Sequence, residues 1–217
     1  HHLKVGNSLV GVFDAGTISL GISKKAFSAK AGDDKTVCKT LNKRNAEGLK
    51  FLQQKKAERD FQIGAKNAQG AFDFTEDPKD VMEAFSRLDE QATDTVEAVL
   101  KKREEYESLQ SSEAWVYQRE LCDVLIGAYM APKNEQTEKL VPTTHTLAQL
   151  LFEGEVPSTP DQASLEEQIA YAHQVCQEAN VFHWPIEFPH VMRQGGFSVV
   201  LGNPPWDKPK VEDVKWF

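Results

Sequence analysis

Long apolar runs are missing from this chain: no stretch approaches the ~20 residues that a membrane-spanning helix requires, which argues against a membrane role. Cysteine is scarce. Cys38, Cys122 and Cys176 are odd in number and far apart, so neither a disulfide framework nor a CxxC metal knuckle can be drawn from them. They read as free buried thiols of a reducing compartment. The start, His1-His2-Leu3-Lys4-Val5, lacks the charged segment followed by an apolar one that marks a secretory signal, and a cytoplasmic location is the expectation. Positive charge is also in short supply: 25 Lys and Arg stand against 33 Asp and Glu, a net charge of −8. Tracking nucleic-acid phosphates needs clustered cations. The richest basic stretch, Lys24 to Lys66, is interleaved with Asp33, Asp34, Glu47, Glu58 and Asp60, so the chain alone reads as a poor DNA clamp. There is no internal repeat and no low-complexity tract.

What is present is a helical middle between two short apolar ends. Leu3 to Phe13, glycine-rich and apolar, predicts a strand running into a loop. Residues 14 to 36 predict loop with one short helix. From Thr36, the spacing of Cys38, Leu41, Leu49, Leu52 and Phe61 among charged residues predicts an amphipathic helix. Asp77-Pro78 is a helix-start signal, and Val81, Phe85, Leu88, Ala92, Val96, Val99, Leu100 and Tyr106 follow at a helical period for some seven turns. A third helix is predicted from Glu113 to about Met130, a fourth over Thr144 to Phe152, and a fifth over Asp161 to Glu178. Ser164 to Glu167 has the form of a capping box, although Pro160-Asp161 is an equal candidate for that start.

After Asn180 the texture changes. Val181 to Pro189 is aromatic and predicted to be extended, because its prolines oppose a central helix. Gly195-Gly196 then turns into Phe197-Ser198-Val199-Val200-Leu201, an apolar run of the kind found in buried parallel strands. It ends in Gly202-Asn203-Pro204-Pro205-Trp206. A crossover of roughly 165 residues is far longer than neighbouring parallel strands need, which predicts a helical insertion within an α/β fold. Three units follow: a sheet piece at 1–13, a helical insertion at 14–179, and a strand with its loop at 180–217.

The loop has a specific chemical use. Ligands of open α/β sheets bind beyond the carboxyl ends of the strands. The Asn203 side-chain oxygen and the Pro204 carbonyl are neutral acceptors that could together hold both hydrogens of an exocyclic amine. Pro204 and Pro205 fix the backbone and so limit the ordering entropy of binding. Trp206 offers a face on which an extruded base could stack.

The run from Phe197 to Trp206 resembles the catalytic motif of DNA adenine-N6 methyltransferases. With Phe182 to Pro189 upstream, it resembles more narrowly the Eco57I-like restriction-modification methylases and their phage-defence relatives. The close resemblance covers about 50 residues, divided between the two ends, where His1 to Gly11 is similar to the segment at the third cofactor-fold strand. Ser198 and His190 depart from that pattern, which often has Asp and Glu there; neither contacts the target amine. The resemblance implies a mostly α chain, about five helices inserted in a Rossmann-like α/β methyltransferase fold. It also implies methyl transfer from S-adenosylmethionine to adenine N6, with Asn203, Pro204, Pro205 and Trp206 at the target base. The family's glycine-containing cofactor loop has no counterpart in this sequence, so the main cofactor site is expected elsewhere in a longer parent; Gly6 and Asn7 are weak cofactor candidates. The chain accordingly reads as an internal fragment, inactive alone, that meets DNA through that parent.

Other residues have plainer roles. His173 with Cys176 has HxxC spacing, but with no second ligand pair on the helix it reads as packing, and no metal is expected. His183 and His190 lie near the motif and offer phosphate or base contacts, against which structural or surface roles are the stronger reading; Trp115 and Tyr117 read as core in preference to a stacking platform. A different class of function, a helical protein-interaction or assembly module without its own catalysis, fits the acidic charge and long amphipathic helices of the middle. A small metal-dependent enzyme finds no ligand set.

Overall fold

The computed structural model describes residues 3–63, 79–91, 93–152, 156 and 161–202. Two 3-10 turns, Ala15–Leu20 and Lys24–Phe27, precede the helices. These are α1 (Lys35–Ile63), α2 (Lys79–Glu90), α3 (Val96–Gln110), α4 (Glu113–Met130), α5 (Thr144–Leu151), α6 (Leu165–Glu178), and the short α7 (Trp184–Glu187) and α8 (Pro189–Arg193). The fold is mostly α.

Helix starts follow side-chain chemistry. Each cap satisfies an N–H that the first turn leaves without an intrahelical partner. Asp34 Oδ1 accepts from the N–H groups of Thr36 (2.6 Å) and Val37 (3.0 Å) at the head of α1. Ser112 and Thr95 accept from Trp115 and Ala98 at the heads of α4 and α3. Ser164 and Glu167 form the reciprocal capping box, so α6 begins there and not at Pro160-Asp161. The long periodic run after residue 78 does not form one helix. It breaks at residues 91–95, where Thr95 caps a new start, and the apolar register is lost across the break. Leu88 is buried on α2, but Val96, Val99 and Leu100 are exposed on α3.

The core is built chiefly by α4. Trp115, Leu121, Cys122, Val124, Leu125 and Ala128 lie inside it, and α4 packs against α6 while α1 packs against α5. Small residues permit the close approaches: a Cβ at Gly127 would lie 2.9 Å from the Ala172 Cβ on α6. Gly48 on α1 faces the backbone of Thr144 and His145 at the head of α5; an added Cβ would collide with His145 N and stand 2.9 Å from the Thr144 carbonyl carbon. Beside it, buried Asn45 donates to Ile22 O (2.7 Å) and accepts from Thr144 N (2.9 Å) and Thr144 Oγ1 (2.7 Å), and that hydroxyl accepts from Ile22 N (2.8 Å). One amide thus joins the N-terminal turns, α1 and α5 with its polar atoms satisfied, as burial demands.

Gly48→Ala is therefore expected to lower the unfolding midpoint. Alanine would favour the helix by ~1 kcal/mol, but overpacking a rigid backbone costs roughly 1–3 kcal/mol or more. Thermal denaturation decides it; an unchanged or raised midpoint would mean that α5 sits farther from α1.

Three expectations about the ends are corrected. Among the described residues there is no strand, and Leu3 to Phe13 contributes only an isolated parallel bridge, Asn7 to Val181. The segment expected to be extended to Pro189 is extended only through His183, because Pro185 and Pro189 lie in the first turns of α7 and α8, where no backbone N–H is needed. The run Val199-Val200-Leu201 is not a buried strand; it is exposed, Leu201 to 92%.

Candidate functional site

Asn203, Pro204, Pro205 and Trp206 lie outside the described residues, which stop at Gly202. The described residues leading toward that loop pack with the N-terminal segment against the helical body.

Residues 7–12 and 180–184 run side by side. Asn7 N donates to Asn180 O (2.6 Å), Phe182 N to Val10 O (2.8 Å) and Trp184 N to Val12 O (3.0 Å). Gly11 lies so close to the Phe182 carbonyl that an added Cβ would collide with it. Gly6 abuts the Phe182 ring, where a Cβ would be 2.7 Å from Cδ2. Gly6 and Asn7 thus serve this pairing: the space over Gly6 is filled and the Asn7 N–H is taken.

Aromatic rings consolidate the junction. Trp184 contacts Phe182, Phe188 and Phe13, and its indole N–H donates to Ser8 O (3.1 Å). Phe197 packs edge-on against Trp184 (5.7 Å) and Phe188 (5.2 Å). Its side chain is the last ring anchored before the chain leaves through Val199 to Gly202. Lys4 pairs with Glu187 (2.9 Å), lies over the Tyr106 ring and bonds its hydroxyl, linking the N-terminal segment to α3 and α7.

Beneath this cluster sits a feature the sequence does not announce. Asp123 of α4, 3% exposed, receives two histidines: His183 Nε2 at 2.9 Å and His173 Nδ1 at 2.7 Å. Val12 N–H donates to His183 Nδ1 (3.2 Å), which leaves Nε2 as the protonated nitrogen that donates to Asp123. His183 therefore ties the N-terminal segment, the 181–184 segment and α4 together. Only the HxxC spacing hinted at it, and that pointed to Cys176 as partner; the carboxylate 50 residues upstream of His173 carried no signal.

Asp123, Cys176 and His183 place possible metal-donor atoms within 4.8 Å of one another. Their hydrogen bonds do not suit a cation. A metal-bound histidine normally donates its other ring N–H to an acceptor, whereas the other nitrogen of His183 faces a donor. The Cys176 thiol donates to Asp123 O at 3.6 Å. Desolvation, with the nearby Asp123 charge second, pushes the Cys176 and Cys122 thiols far above their ordinary range. Burial raises Cys38 as well. Since the thiolate is the reactive form, a thiol reagent at neutral pH is expected to leave all three cysteines unlabelled in the native protein and to label them on unfolding. Rapid native labelling of Cys176, read by mass spectrometry, would contradict the proton-filled junction.

His190, offered by the sequence as a phosphate or base contact, stacks on Phe85 (5.6 Å), which stacks in turn on Trp115 (5.4 Å). No helix among the described residues is long and apolar enough to cross a membrane.

No curated protein and no solved structure matches the chain. The family model described as Eco57I restriction-modification methylase matches residues 29–215. That span takes in the helical middle, which the motif resemblance alone had left aside, and excludes the N-terminal segment that the resemblance had included. It begins just after the 3-10 turns and runs through α1–α8 to the residues around Asn203, and so this chain belongs to the Eco57I restriction-modification methylase family.

Proposed function

We propose that this chain carries the target-amine loop of an S-adenosylmethionine-dependent DNA adenine-N6 methyltransferase. The observation that carries this reading is Gly202-Asn203-Pro204-Pro205-Trp206, lying inside the span 29–215 that the methylase family matches. Asn203 and the Pro204 carbonyl accept from the two hydrogens of the exocyclic amine, Pro205 holds the loop, and Trp206 stacks on the extruded adenine. Catalysis by these residues is positioning and electrostatic preorganisation. S-adenosylmethionine supplies the methyl group.

The ends at 1–13 and 180–217 are read as parts of a Rossmann-like sheet, with the helices between them as an insertion. The parallel bridge between Asn7 and Val181 and the exposed aliphatic run Val199 to Leu201 support that reading, since a strand awaiting neighbours leaves such residues bare. On this view residues 1–217 do not methylate alone. The test is methyl incorporation into adenine by the full-length protein, with Asn203→Ala and Trp206→Ala beside the wild type.

A further inference from the structure

The net charge of −8 conceals a segregation of charge. Residues 24–56 carry ten Lys and Arg against three Asp and Glu, and the rest of the chain carries 15 against 30. In sequence the acids interrupt the lysines; in the fold most of them are engaged elsewhere. Asp34 caps α1, and Asp33 accepts from the N–H groups of Lys30 (2.9 Å) and Lys133 (3.0 Å). Glu58 pairs with Lys55 at 3.2 Å.

Helix geometry then sorts the cations. Val37, Leu41, Asn45, Gly48 and Leu52 are the buried face of α1. At ~100° per residue, Lys35, Lys39, Lys43 and Lys50 fall within about 80° of arc on the opposite side and span roughly 22 Å of helix. All four are exposed. The cations on the other faces have structural partners: Arg44 reaches Glu138 (3.3 Å) and Lys56 donates to Ser19 O (2.9 Å). Among the described residues, the four stripe lysines have no ion pair or side-chain hydrogen bond. Glu47 borders the stripe beside Lys43 and is its nearest acid along the helix. The turn Lys24–Phe27, which packs on α1, adds exposed Lys24 and Lys25.

We infer that this face of α1 binds the phosphate backbone of duplex DNA. A double helix presents one negative charge per ~1.7 Å of its axis, and a row of ammonium groups along one helix face complements it without reading sequence. The acidic remainder of the surface repels the same polyanion and so steers it to this side. The choice of DNA over other polyanions rests on the methyltransferase reading; the segregated charge does not.

The test is equilibrium binding of the full-length protein to a duplex of arbitrary sequence across a salt series, without S-adenosylmethionine. Lys35→Gln, Lys39→Gln, Lys43→Gln and Lys50→Gln are combined, and a control carries Lys101→Gln with Lys139→Gln. Circular dichroism and the thermal midpoint confirm that both variants are folded, as surface changes allow. Loss of one phosphate contact lowers the salt slope by about 0.9, so the combined variant is expected to lose roughly 2 to 4 in slope and on the order of tenfold or more in affinity at low salt, with the control unchanged. Wild-type slope and affinity in the combined variant would overturn the inference, including the outcome in which the stripe meets an acidic protein. Methylation that needs Asn203 together with an unchanged slope sinks only the α1 surface. A steep α1-dependent slope in a protein that transfers no methyl group sinks only the methyltransferase reading.

Discussion

Replacing Asn203 with alanine in the full-length protein is expected to reduce kcat for adenine methylation by on the order of 10²–10³, the loss typical of removing one preorganised polar group that acts on the developing transition state. The side-chain oxygen is proposed to accept from the amine as its lone pair turns toward the methyl donor. The contact therefore strengthens as the reaction proceeds, and its loss falls on kcat more than on KM. Trp206→Ala differs in kind. Stacking of a base on an aromatic ring is worth about 1–3 kcal/mol and holds the extruded base before and during transfer, so the loss is expected in KM for DNA as well as in kcat. Full activity in the Asn203 variant would remove the catalytic assignment; the KM pattern of the Trp206 variant tests the stacking role separately.

The second large effect is on stability. Asp123→Ala leaves the buried His183 Nε2–H without its acceptor and opens a gap in α4, where Asp123 is 3% exposed. Leaving a buried donor without its acceptor costs about 1–3 kcal/mol. For a chain of this size each kcal/mol is worth ~2–4 °C in Tm, so a fall of roughly 2–12 °C is expected. His173 is 41% exposed and can turn to water, so His173→Ala is expected to cost far less. The local signature lies in the amides of Phe182 and Trp184, which donate to Val10 and Val12. Their hydrogen exchange is expected to accelerate in the Asp123 variant, because His183 connects that pairing to α4. A midpoint within ~2 °C of the wild type would show that the junction is not a major support.

Helix existence was legible where a strong apolar period coincided with a local start signal. Glu113–Met130 was read from its period, and the capping box of Ser164 and Glu167 was visible in the sequence as one of two candidate starts for α6, between which the structure chose. The break between α2 and α3 was missed because Leu88 and Val96 stay in helical phase across residues 91–95; a period cannot reveal that a capping threonine has restarted the helix. Pro185 and Pro189 were misread for a related reason. Proline opposes a helix interior but suits its first turn, and which applies depends on where neighbouring N–H groups find partners.

The motif around Asn203 was readable because it is contiguous, and the family match later spanned it. The Asp123 junction was not, because its parts come from residues 12, 123, 173 and 183, and no local rule links such positions. Nor does linear order show which lysines between Lys24 and Lys66 share one face of α1.

The sequence by itself determined the helical character of the middle and the chemistry available at Asn203 to Trp206, because periodicity and proline geometry act within a few residues. Only the tertiary structure decided that residues 7–12 and 180–184 lie side by side, that Asp123 fastens them through His183, and that the lysines of α1 form one face. Those outcomes depend on which distant surfaces bury each other, and burial is a property of the folded chain.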